Sequence, residues 1–83
     1  NAMTESSALL HDGRSAIPQQ AWVRLTPTAL LIQRRGVAPL EWPLATMRLV
    51  DRLAHEIRLA PQFSPQRLGV NDPAMMAALD APR

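Results

Sequence analysis

Eight prolines and three glycines cut an 83-residue chain into short apolar runs. Proline has a fixed φ and no N–H to donate, so it stops helices and is barred from the middle of a sheet. From Ala21 onward the runs recur about every eight to twelve residues, with turn residues between them. That rhythm predicts short antiparallel strands closed into a small sandwich or a partly open barrel.

The clearest segment is Ala21-Trp22-Val23-Arg24-Leu25-Thr26, where apolar and polar positions alternate with the period of a strand. Thr26-Pro27-Thr28-Ala29 follows as a turn with Pro27 suited to its second position. Leu30 to Arg34 forms a second strand with Leu30 and Ile32 on one face, and Arg35-Gly36 closes the unit. Leu40-Glu41-Trp42-Pro43-Leu44 comes next, with Pro43 fit only for an edge or a strand end. Met47 to Asp51, Glu56 to Ala60 and Arg67 to Val70 complete the strands. A helix over 45–60 is the alternative for the middle of the chain, since Leu49, Leu53 and Ile57 recur every four residues between Pro43 and Pro61. Two tryptophans, Trp22 and Trp42, are expected to fill core volume.

The last segment changes period. Asn71-Asp72-Pro73 reads as a helix cap followed by proline at the first helical position. Met75, Met76 and Leu79 then place an apolar stripe against the sheet. At the other end, Asn1-Ala2 before Met3 reads as a remnant of tag removal. Thr4 to Ala8 are small and polar, and residues 3–9 are expected to fray, leaving 10–83 as one β domain with a C-terminal helix.

Chemistry is sparse. With no cysteine and two distant histidines, the chain lacks thiolate metal sites and disulfides. His55-Glu56 has no second histidine one turn on, because Leu59 stands there, so a zinc-protease helix is excluded. Asp12-Gly13-Arg14-Ser15 is a turn signal, and no serine has the glycine context of a nucleophile elbow. No apolar run reaches the roughly 18 residues that cross a bilayer, so the stretch reads as a soluble domain. No catalytic, metal or cofactor-binding residue is expected.

Charge needs care. The sequence pI is about 11.1, yet the formal net charge is only +2. All positive side chains are arginine, which holds its proton above about pH 12, so the pI reflects missing lysine and tyrosine rather than a polycation. The arginines are dispersed among acids, with Arg34-Arg35 as the single adjacent pair. Stacking aromatics between basic residues are few, which disfavours nucleic acid. The weak anion-binding candidates are Arg34, Arg35, Arg48 and Arg52. They would serve an independent module for anionic lipid head groups or nucleic acid if they converged on one face.

In order along the chain, Asp12-Gly13-Arg14-Ser15, the hairpin Val23-Arg24-Leu25 to Leu30-Leu31-Ile32, Trp42-Pro43-Leu44, Asp51-Arg52-Leu53 and Asn71-Asp72-Pro73 through Met76-Ala77-Ala78-Leu79 resemble an N-terminal module of bacterial HtpX-like zinc metallopeptidases. The likeness spans about residues 10–80. It implies a fold like the pleckstrin-homology or GRAM domains, and a non-catalytic accessory role beside a membrane-anchored peptidase. Zinc would belong to the separate peptidase domain, and the partner would be that domain or another protein. The module would sit on the cytoplasmic side of an inner membrane. Ala60-Pro61-Gln62-Phe63 departs from the resemblance, which leads one to expect a glycine-containing turn there.

Overall fold

Alternation and punctuation together build one antiparallel sheet. The computed structural model describes residues 4–81, in which β1 (Thr4–His11), β2 (Gln19–Leu25), β3 (Ala29–Gln33), β4 (Leu40–Pro43), β5 (Arg48–Arg52), β6 (Ile57–Ala60) and β7 (Arg67–Val70) precede α1 (Pro73–Asp80). The strand order is β4-β3-β2-β1-β7-β6-β5, and the sheet curls into a half-barrel with the helix at its C-terminal end. β4 and β5 are the two edges, and Pro43 lies on one of them, where its missing N–H interrupts no interior ladder.

Inward positions follow the expected period. Ala21 and Val23 of β2, Leu30 and Ile32 of β3, and Trp42 of β4 are buried on one half of the curl. Ile57 and Leu59 of β6 with Leu68 and Val70 of β7 supply the other half, and Met75 and Leu79 of α1 enter between them. Those two helix residues are four apart and so share a face. The helix starts as its sequence dictates: the Asp72 carboxylate accepts the Met75 backbone N–H at 2.9 Å, and Pro73 opens the first turn.

Two expectations change. The stretch expected to fray is the central strand: from Thr4 to Leu10, β1 pairs along its length with β2, and Leu9 to His11 pair also with β7. Its signal was faint because two of its three inward residues are Ser6 and Ala8, with Leu10 the single large one. Backbone ladders on both sides hold a strand that side-chain burial alone would not. Asn1 to Met3 lie outside the described residues, as do Pro82 and Arg83.

Trp22 is the second correction, being 47% exposed while Trp42 is buried. The β2 alternation requires it: with Val23 inward, Trp22 faces out beside Arg24. Its indole N–H donates to Glu5 Oε1 at 3.0 Å. Over 45–60 the strand reading holds against its helical alternative, as β5 and β6, with Leu49 and Leu53 exposed and Ile57 alone of the three in the core.

Candidate functional site

The strand that contributes least to the core is β5. All five residues from Arg48 to Arg52 are exposed, including Leu49 at 44% and Val50 at 39%. It is joined to the sheet through β6 alone, with a register shift between Leu49 and Asp51. Its end is tied to α1, where Arg52 donates through both terminal nitrogens to the two oxygens of Asp80. That pairing holds the Asp80 carboxyl below the usual carboxylate range and raises Arg52. Leu53 extends the apolar surface past the strand, and its N–H donates to Glu56 O at 2.8 Å to close the turn into β6.

The two edges differ in chemistry. β4 ends at Pro43, which cannot donate, and the next N–H, that of Leu44, donates to Thr28 O at 3.0 Å. Every residue of β5 has an N–H and none is proline. An unpaired edge of this kind offers donors and acceptors to an extended segment of another chain.

A second feature lies where loops meet. Asp12 Oδ1 accepts the N–H groups of Arg14 at 2.8 Å and Ser15 at 2.9 Å. The Ser15 bond and then the Arg14 bond lower the Asp12 carboxyl from its ordinary value. Gly13 adopts φ +85° and lies so close to Pro65 that a Cβ would come within 2.7 Å of the proline Cβ. This seats the β1–β2 loop against the β6–β7 loop. The Arg34 guanidinium donates to Gln19 Oε1 at 2.9 Å, bringing the β3–β4 turn alongside. A cleft of about 520 Å³ runs from these two loops to β5, lined by His11, Arg14, Val50, Asp51, Arg58 and Arg67 among others. His11 lies opposite Arg67 across the β1–β7 pair, and Arg58 lies opposite Gly69. The Arg67 Nη1 is anchored by the carbonyls of Ser64 and Gln66 at 3.0 and 2.8 Å.

The four arginines singled out in the sequence fall at separate places. Arg34 is in the β3–β4 turn, and Arg35 borders a cleft floored by Leu9 and Trp22. Arg48 and Arg52 lie near Asp80 at the other edge. Arg14, Arg58 and Arg67, which do converge, lie far apart in sequence, and only the β1–β7 and β6–β7 pairings reveal their proximity. Among the described residues no group of three or more His, Cys, Asp or Glu is placed to hold a metal ion, and no helix is long and apolar enough to cross a membrane.

A family model described as a domain of unknown function, DUF7092, matches residues 5–83. The chain belongs to this family. No curated protein and no solved structure matches it. The DUF7092 match takes in β1 almost from its first residue, in keeping with that strand's place at the centre of the sheet.

Proposed function

We propose that this DUF7092 domain is a non-catalytic interaction module that receives an extended segment along the free edge of β5. The observation that carries the reading is a donor-bearing edge strand with every residue exposed and with Leu49 and Val50 outside the core. An incoming strand gains ladder hydrogen bonds and covers these side chains, which is how sheet edges obtain both affinity and register. The resemblance to the HtpX-like module supplies the partner: the zinc peptidase domain of the same gene product. In this reading the module is pleckstrin-homology-like, sits on the cytoplasmic side of the inner membrane and positions the peptidase without supplying ligands to its zinc.

The test is capture of the separately produced peptidase segment by the 83-residue chain. The wild-type chain retains the segment, and Leu49→Lys, which puts a charge on the covered strand without disturbing the core, weakens capture about tenfold or more, the worth of one buried leucine. Equal capture by both proteins, or none by the wild type, refutes the edge as the docking site.

A further inference from the structure

The loop end of the barrel carries a feature that edge pairing does not use. The β1–β2 and β6–β7 loops, fastened together at Gly13 and Pro65, each hold out one large apolar side chain: Ile17 is 76% exposed and Phe63 is 93% exposed. Val37, also exposed, is in the neighbouring β3–β4 turn. Phe63 has φ +59°, a left-handed conformation that costs a residue with a Cβ and that glycine would adopt freely. A strained backbone that projects an aromatic ring into solvent has no packing reason in this fold, and such strain collects where a chain engages something outside itself.

Beside these tips lies the cleft of Arg14, Arg58 and Arg67, opposed within its lining by Asp51. Arg58 is also drawn toward Glu56 at 3.5 Å. Arg34 and Arg35 add two more cations in the adjoining turn. Guanidinium groups around a cleft suit phosphate oxygens, with two donors available per group. A small free phosphate would satisfy the cleft and leave Ile17 and Phe63 in water. A phospholipid surface satisfies both, with head-group phosphate at the arginines and the two apolar tips in the boundary between head groups and acyl chains.

From this juxtaposition we infer that the loop end is a peripheral contact for an anionic phospholipid bilayer. Ile17 and Phe63 insert, and Arg14, Arg58 and Arg67 hold lipid phosphate. The inference requires no strand partner on β5, although Val50 and Asp51 of that strand also line the cleft.

Vesicle sedimentation of the 83-residue chain tests it. Binding is expected to vesicles of phosphatidylcholine mixed with phosphatidylglycerol and not to phosphatidylcholine alone, weakening as salt is added. Arg14→Gln and Arg58→Gln each lower the affinity about fivefold. Phe63→Ser lowers it about tenfold or more while leaving the salt dependence in place. Arg24→Gln, at the opposite end of the sheet beside Glu5, changes nothing. Equal binding to both vesicle types, no binding to either, or binding indifferent to Phe63→Ser overturns the inference. So does amide-shift evidence of inorganic phosphate in the arginine cleft without vesicle binding. Should a variant fail to melt cooperatively, the comparison of the two vesicle types with the wild-type chain still decides.

Discussion

Leu10→Ala tests the placement of β1 at the centre of the sheet. Leu10 is fully buried, pairs with Gln19 on one side and Leu68 on the other, and is the one large inward side chain of its strand. Truncation removes three carbons, worth about 2.4 kcal/mol at roughly 0.8 kcal/mol per methylene. A residual cavity on the order of 50 Å³ adds about 1.2 kcal/mol at roughly 24 cal/mol per Å³. The sum, about 3.6 kcal/mol, is a large share of the stability of a domain this small. At about 4–8 °C per kcal/mol, the melting temperature falls by roughly 14–29 °C. Leu9→Ala is the internal control, since the Leu9 side chain faces out and its loss costs no more than about 0.5 kcal/mol. Thermal melts followed by circular dichroism measure both. Equal small shifts would refute the central position of β1 and return residues 4–9 to a frayed tail.

Other outcomes follow from local geometry. Asp72→Ala removes the carboxylate that caps α1 and costs about 1 kcal/mol in a urea titration. Gly13→Ala imposes a side chain at φ +85° against Pro65 and destabilises by more than about 1 kcal/mol, again by urea titration. Phe63→Gly relieves a left-handed residue and raises stability by up to about 1 kcal/mol while lowering vesicle affinity about tenfold or more. Glu5, Asp12 and Asp80 all have carboxyls lowered from their ordinary values, by Trp22 and Arg24, by the Ser15 and Arg14 amides, and by Arg52 respectively. A carboxyl lowered in the folded state stabilises above its unfolded pKa, and that contribution is lost as pH falls through the folded one. Melting temperature is therefore flat near neutrality and declines below about pH 4, with a smaller decline for Asp80→Asn.

Much of the architecture was legible because the physics that builds it is local. Period-two alternation from Ala21 to Arg34 specified the β2–β3 hairpin and its inward residues, and Pro43 announced an edge. Asp72-Pro73 announced the helix, down to the carboxylate that caps it. What escaped notice rests on partners distant in sequence. β1 has weak side-chain periodicity because Ser6 and Ala8 are its first inward residues, and its stability comes from ladders to β2 and β7. Trp22 was assigned to the core by size, although the alternation already placed it outward. Residues 45–60 fit two periods, and the pairing of β5 with β6 chose between them.

The proposed interaction surfaces are harder to read from the sequence for the same reason. A single adjacent pair, Arg34-Arg35, drew attention because it is contiguous. The convergent set, Arg14, Arg58 and Arg67, comes from a loop and two strands that the β1–β7 and β6–β7 pairings bring together. Phe63 lies in the Ala60-Pro61-Gln62-Phe63 stretch where the resemblance leads one to expect a glycine-containing turn, and its backbone adopts a conformation glycine would favour. That departure was visible in the sequence, but its consequence, an aromatic ring held out in solvent, needed the structure.

The central claim is that β5 receives a strand from its partner. Amide hydrogen exchange across Arg48 to Arg52 tests this directly, compared between the 83-residue chain alone and the same chain mixed with the peptidase segment. Edge amides that exchange rapidly in the free chain become protected in the mixture, while those of β4 do not change. If β5 exchanges at the same rate in both samples, the strand receives nothing and the claim is wrong.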